Sequence, residues 1–156
     1  MRLQEFKKKP IYLDMCSLCR SFDDQQFMRI RLETAAVELI MEHIKTGDYT
    51  LYYSSAHRFE IENFEDLYER AEVQDFLDNW GLNADKYVSL RNTRHRADEL
   101  ADNGFSVADA VHTAFAEALK ASFITCDDKL IKKCRRYKVN TWFGTPLEFC
   151  EMEEIR

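Results

Sequence analysis

Four carboxylates are spaced along this chain so that they could build one site: Asp14, Glu60, Asp109 and Asp127. Asp14 closes the apolar run Pro10-Ile11-Tyr12-Leu13, and Asp127 follows Phe123-Ile124-Thr125-Cys126. Glu60 lies just past Tyr49-Thr50-Leu51-Tyr52-Tyr53, and Asp109 sits in Ser106-Val107-Ala108-Asp109-Ala110-Val111-His112. Carboxylate oxygens suit hard divalent ions, Mg²⁺ or Mn²⁺. Crowded together without a metal, such groups repel and at least one pKa rises. One or two bound ions can generate hydroxide, orient a phosphodiester and stabilise the oxygens of an in-line displacement. That chemistry needs no Ser or His nucleophile, and the sequence offers no convincing triad.

Each acid also has a plain structural reading. Asp127, after a strand and before a helix, is a favoured N-cap, and Asp128 in the first turn complements the helix dipole. Ser106-x-x-Asp109 fits a capping box. Glu60 has Glu62 two residues on, and a helix could expose either. Asp14 is harder to dismiss, because it ends a buried strand and meets no basic residue until Arg20. The helix around Asp109 is apolar nearly all round, and a buried carboxylate is costly unless paired, hydrogen-bonded or metal-bound. At about 100° per residue, Asp109 shares its face with His112, Thr113 and Ala116. His112 could orient Asp109 or simply pack.

The elements that must position these acids alternate. Pro10 to Leu13 reads as a first strand, and Asp23 or Asp24 with Gln26 can cap the helix that follows. Its stripe is Phe27, Ile30, Thr34, Val37, Met41 and Ile44, either core or a dimer seam, and Gly47 ends it. Tyr49 to Tyr53 is a second strand. Ser54-Ser55 opens a helix carrying Phe59, Glu60, Ile61, Phe64 and Leu67, and a further helix covers Val73 to Asn79 before Gly81. Tyr87 to Leu90 reads as a short strand, Arg91 to Asn103 as a helix stopped by Gly104, and Val107 to Lys120 as a helix capped by Ser106. Phe123 to Thr125 is a strand, Lys129 to Tyr137 a helix and Val139 to Phe143 a final strand. Pro146 suits the first turn of a last helix. This alternation predicts an α/β domain with a mainly parallel central sheet flanked by helices. In such sheets ligands bind beyond the carboxyl ends of the strands, the edge to which Asp14, Glu60 and Asp127 map.

The totals agree with one domain over 1–156. The 156 residues are 46% hydrophobic and 32% charged, with four Gly and two Pro, which leaves little room for low complexity. No apolar run approaches the ~18 residues of a membrane span, and the start MRLQEFKKKPIYLDM lacks a signal peptide's apolar core, so a cytoplasmic protein is expected. Residues 1–9, with Lys7-Lys8-Lys9, read as a short basic leader. Five cysteines, an odd count, suggest reduced thiols. Cys16-Ser17-Leu18-Cys19 could join Cys126 in a zinc or redox site, but no second CxxC completes it. A net charge of −6 disfavours non-specific nucleic-acid binding. Two local basic clusters, Arg91, Arg94, His95 and Arg96, and Lys129, Lys132, Lys133, Arg135 and Arg136, could hold phosphates or form solvated helix faces. No Gly-rich phosphate loop points to a nucleotide cofactor.

The pieces IYLDMCSLCRSFDD, SSAHRFEIEN, FSVADAVHTAFAEALKASFITCDDKL and the closing strand before PLEF resemble, in order and spacing, the PIN-domain family of metal-dependent ribonucleases, and most closely its VapC-like branch. The resemblance spans about Ile11 to Phe149. It implies a PIN-like fold and RNA cleavage by metal-activated water at an acidic pocket, with Mg²⁺ or Mn²⁺ held by Asp14, Asp109 and Asp127 and with Glu60 ligating or positioning water. Thr125, Asp128, Arg20 and Ser55 are second-tier candidates near the same edge. A toxin restrained by a cognate antitoxin, with RNA as substrate and a possible homodimer, is what this resemblance implies. It departs from the family at Gly144-Thr145-Pro146, where a shorter Asn-Pro turn is usual, and Phe64 to Arg96 has no residue-level match. A catalytically inactive PIN-like binding module is the alternative. An aspartyl-phosphate enzyme using Asp14 is a third reading, against which Asp14-Met15-Cys16 lacks a second Asp.

Overall fold

A computed structural model describes residues 8–156. The leader expected over 1–9 falls mostly outside the described residues; Lys9 does not belong to it, because strand β1 (Lys9–Leu13) begins there and Lys9 pairs with Glu153. The strands that follow are β2 (Tyr49–Tyr53), β3 (Gly81–Asn83), β4 (Ser122–Ile124) and β5 (Phe143–Gly144). They form one five-stranded sheet in the order β3-β2-β1-β4-β5, parallel at every pairing. This is the α/β architecture of a PIN-like fold expected from the sequence.

β1 shows how the layers arise. Successive strand side chains point to opposite faces. Ile11 and Leu13 enter one apolar cluster and Tyr12 the other. The first cluster takes Ala36, Ile40 and Ile44 from helix α2 (Met28–Lys45), Val73 and Leu77 from α4 (Leu67–Trp80), and Phe149 from α8 (Pro146–Met152). The second takes Ala97 and Leu100 from α5 (Leu90–Asp102), Phe115 from α6 (Val107–Leu119), and Leu130 and Cys134 from α7 (Asp128–Arg136). Two short helices lie at the strand ends, α1 (Met15–Leu18) after β1 and α3 (Ser55–Glu62) after β2. Fully buried side chains such as Ile11, Leu13 and Phe123 each contribute roughly 2–3 kcal/mol of burial.

Several expectations shift. Asp23 and Asp24 do not cap α2: its N-cap is Phe27, with no side-chain bond, and Asp24 instead accepts the Gln26 N–H in a local turn. Phe27 is 63% exposed, so the apolar stripe faces the core only from Thr34 onward, widened by Ala36 and Ile40. α3 stops at Glu62, and Asp66 caps a separate α4 through the N–H groups of Tyr68 and Glu69, so Phe64 and Leu67 lie outside α3. Tyr87 to Leu90 is not a strand. The chain pairs earlier, at Gly81–Asn83, where a Cβ on Gly81 would sit 2.7 Å from the Tyr53 ring and 2.8 Å from the Leu77 carbonyl. The last strand is only Phe143–Gly144. Gly47 and Gly104 stop their helices with φ of +89° and +96°, a conformation that disfavours a side chain.

Candidate acidic site at the carboxyl edge of the sheet

β2 and β3 extend the sheet on one side of β1, β4 and β5 on the other. The order therefore reverses between β1 and β4, and the crevice beyond their carboxyl ends is the favoured ligand position. Leu13 pairs with Ile124 in the last register position, and the Asp14 N–H continues the ladder to the Ile124 carbonyl at 3.2 Å. Asp14 and Thr125 thus stand side by side at the mouth of this crevice.

Asp14 is 5% exposed. It is the N-cap of α1, accepting the Ser17 N–H at 3.1 Å, and the Cys16 thiol donates to its carboxylate at 3.1 Å. Among the described residues no lysine or arginine pairs with it. Burial pushes its carboxyl above the ordinary value, partly offset by Thr125 and Cys16. A buried carboxylate with neutral neighbours is an unfavourable arrangement that a cation would relieve.

Asp127 and Asp128 part ways. Asp127 caps α7, its Oδ1 accepting the N–H groups of Lys129 at 2.9 Å and Leu130 at 3.2 Å, while Thr125 Oγ1 accepts the Asp127 N–H at 3.0 Å. Asp128 turns outward into a bidentate pair with Arg29, at 2.6 and 2.8 Å, which holds its carboxyl below the usual range. Asp109, half-buried in the first turn of α6, gives its N–H to Ser106 Oγ at 3.2 Å. Its carboxyl is raised by burial and further by the charges of Asp127 and Glu60. Glu60, half-buried on α3, is raised by burial as well.

His112 does not orient Asp109. Its Nε2 meets Glu60 Oε1, and its Nδ1 lies 2.6 Å from the Tyr12 hydroxyl, which lies 2.7 Å from Ser54 Oγ. His57 fills the next position: its Nε2–H donates to the Leu13 carbonyl at 2.7 Å and its Nδ1 accepts the Ser54 N–H at 3.0 Å, closing the capping box of α3. Burial lowers both histidines, His57 to about 3 and His112 to about 4, so both rings are neutral at pH 7.

The second-tier residues are otherwise engaged. The Arg20 guanidinium donates to Glu33 at 2.9 Å and to Asp23 at 3.0 Å. Glu33 is 1% exposed and also receives Arg29 at 3.0 Å, so an ion cluster around buried Glu33 links the loop after α1, helix α2 and the start of α7. Ser55 is exposed; its neighbour Ser54 is the buried hydroxyl. Sequence reasoning missed Tyr12, Ser54, His57 and Glu33. The one available signal was Ser54-x-x-His57, a capping box with His in place of Glu or Gln.

Cys16 Sγ lies 3.6 Å from Thr125 Oγ1, and Cys126 Sγ lies 3.7 Å from Ser17 Oγ. Contact with Cys126, burial and the Asp14 charge all raise the Cys16 thiol, and burial pushes Cys19 to about 12. Protonated thiols are poor nucleophiles and ligands. Of the basic clusters, Arg91, Arg94 and His95 project from α5 into solvent, whereas Arg96 is held by Glu117 and Glu99. On α7 Lys129, Lys132, Arg135 and Arg136 are exposed and Lys133 binds the Gly104 carbonyl.

Among the described residues, no three His, Cys, Asp or Glu side chains already close around one point as a metal cage. The donor chemistry nevertheless fits Mg²⁺ or Mn²⁺: Asp14 is buried with no Lys or Arg partner among the described residues, and the Asp109 carboxyl is raised by burial and by the charges of Asp127 and Glu60. Mg²⁺ typically keeps several waters and binds through one or two carboxylates plus substrate phosphate, so a closed cage is not required. Among the described residues, no helix is long and apolar enough to cross a membrane.

No family model and no curated protein sequence matches the chain. Solved structures do. FitAcB from Neisseria gonorrhoeae is similar with a TM-score of 0.51 and 14% identity over 88% of this chain and 98% of that one. FitAB bound to the IR36 DNA fragment is similar with a TM-score of 0.54 and 17% identity over 87% and 94%. At such identities the likeness is one of fold, and it extends over nearly the whole of both partners in each comparison.

Proposed function

We propose that this protein is a Mg²⁺- or Mn²⁺-dependent endoribonuclease, the toxin of a toxin–antitoxin pair. The observation that carries the reading is Asp14: a buried carboxylate at the sheet's switch point, with no cationic partner among the described residues, and with Asp127 capping α7 just beyond the neighbouring strand β4. Asp14, Asp109 and Asp127 would hold the metal, and Glu60 would ligate or position water. When bound, the ion supplies Lewis acidity toward the phosphodiester and lowers the pKa of water. The chain itself contributes the fixed geometry. Thr125 braces both Asp14 and the Asp127 backbone, and the exposed lysines of α7 offer phosphate contacts near the site. The likeness to FitAcB and FitAB, with the VapC-like motifs, supports a toxin that pairs with an antitoxin protein.

A second reading has its own observation. Asp14 and Asp127 both make N-cap hydrogen bonds, and the Asp109 N–H is bonded to Ser106. A PIN-like binding module that keeps its acids as caps would show the same bonds. Calorimetry with Mn²⁺ and Mg²⁺ on wild type and Asp109→Asn, alongside cleavage of a mixed RNA pool, separates the two. Saturable binding with metal-dependent cleavage, both lost in the variant, is the nuclease outcome. A well-folded wild type that binds neither ion returns the acids to caps.

A further inference from the structure

β1 and α6 each carry one acid of the site and one residue of a buried polar chain. At β1 these are Tyr12 within the strand and Asp14 just past its end, two residues apart; on α6 they are Asp109 and His112, one turn apart. The chain runs Ser54–Tyr12–His112–Glu60. Its polarity can be assigned. Tyr12 is fully buried between Ser54 Oγ and His112 Nδ1, and a phenol has one proton to donate, whereas the Glu60 carboxylate only accepts. The Tyr12 hydroxyl donates to His112 Nδ1, which leaves the imidazole proton on Nε2 to donate to Glu60. Ser54 in turn donates to the Tyr12 oxygen while accepting the Ala56 N–H at 3.2 Å.

His112 has little freedom to do otherwise. Its ring lies 4.6 Å from that of His57 and 5.5 Å from that of Tyr12, and His57 is pinned at both nitrogens. Packing alone would favour an apolar residue here, since burying this many polar groups costs stability unless every one is paired. The chain is paired at each link and ends not in another buried group but on Glu60, a half-buried carboxylate.

We infer that His112 is a positioning residue for Glu60, with Tyr12 and Ser54 as its anchor, fixing one Glu60 oxygen and leaving the other turned to the site. The inference rests on the nuclease reading for its consequence, but the hydrogen-bond chain can be tested apart from it. A carboxylate held by an oriented imidazole keeps its geometry as substrate arrives, and loss of such outer partners commonly costs about 10–100-fold in activity.

The test has two arms. In the metal-free protein, NMR should show a downfield, exchange-protected imidazole N–H from His112 Nε2 that shifts in Glu60→Gln and in Tyr12→Phe. A solvent-exchanged signal, or one indifferent to both changes, overturns the inference. In cleavage assays, His112→Phe should lower kcat about 10–100-fold with KM for RNA little changed. His112→Gln, whose amide NH₂ falls near the Nε2 position, should recover part of the loss. In a Glu60→Gln background, His112→Phe should cost nothing further, because the two residues act as one unit. Additive losses, or wild-type kcat in His112→Phe, overturn it. Tyr12→Phe removes a single oxygen and carries both arms should His112→Phe fail to fold. A wild type without metal binding or cleavage but with the protected N–H rejects the nuclease reading and, with it, the catalytic consequence for Glu60.

Discussion

His112 stands one helical turn beyond Asp109 on α6, yet its ring bonds to Glu60 on α3 and to Tyr12 on β1. One residue thereby ties three elements together. The acids at the front are held by different means: Asp14 by the Ser17 N–H and Cys16 thiol, Asp127 by Thr125 and its own helix cap, Asp109 by the frame of α6.

Asp14→Asn removes a buried charge while preserving an N-capping side chain. The metal-free variant is expected to be at least as stable as wild type at pH 7, since the raised Asp14 carboxyl marks an unfavourable charge. Wild type should gain about 2.7 kcal/mol at a metal concentration near 100 times Kd, and the variant should lose most of that gain. Denaturant midpoints with and without Mn²⁺ decide this. A variant that Mn²⁺ stabilises as strongly as wild type would remove Asp14 from the ligand set.

The buried histidines set an acid limit. His57 is held at about 3 and His112 at about 4, both below the unfolded value near 6.5. Between those values the unfolded chain binds protons that the folded protein refuses, so their contribution is present above about pH 6.5 and is lost as pH falls toward 4. Each group contributes a slope of up to about 1.4 kcal/mol per pH unit. The raised carboxyls of Asp14, Glu60 and Asp109 work in the opposite sense, because the folded state takes up their protons more readily. His57→Gln isolates one term: its stability between pH 5 and 6.5 should fall less steeply than wild type, by about one proton. Parallel urea-midpoint profiles would show that His57 is not the neutral, buried group described here.

Glu33 is buried under Arg20 and Arg29. Without Glu33, Arg20 keeps Asp23 and half-exposed Arg29 keeps Asp128, so Glu33→Ala should cost about 1–3 kcal/mol from the lost buried hydrogen bonds. Arg29→Ala loses a half-exposed guanidinium and an exposed Asp128 partner, and should cost about 1 kcal/mol or less. Metal affinity should change little in either case, which calorimetry can check beside the unfolding curves. If Glu33→Ala instead abolishes metal binding in folded protein, Glu33 belongs to the site and not only to its support.

What could be read from the sequence and what could not divides along physical lines. Asp14 and Asp127 were legible because strand ends and N-caps are local signals, and Gly47 and Gly104 because helix stops are too. The split between α3 and α4 was hidden by continuous apolar spacing through Phe64 and Leu67; only the Asp66 cap separates them. β3 was misplaced because Tyr87 to Leu90 has strand-like residues, while the close approach at Gly81 depends on Tyr53, distant in sequence. Glu33 and Tyr12 were invisible for one reason: a polar group is buried only where partners from elsewhere meet it. Arg20 and Arg29 do so for the first, Ser54 and His112 for the second.

Substrate contacts should lie close to Asp127. Lys129 and Lys132 are exposed on α7, which Asp127 caps, while Arg91 and Arg94 project from α5. An acidic protein needs such local patches to hold a polyanion. Each lysine that contacts a phosphate of single-stranded RNA should contribute about 0.7 to the slope of log affinity against log salt. Lys129→Ala and Lys132→Ala are therefore expected to weaken binding of an uncleaved RNA by the Asp109→Asn protein across all sequences, and to flatten its salt dependence by that amount for each. Arg91→Ala and Arg94→Ala measured in the same way locate the path of the strand. Unchanged slopes for the lysines with reduced slopes for the arginines would move the RNA from α7 to α5.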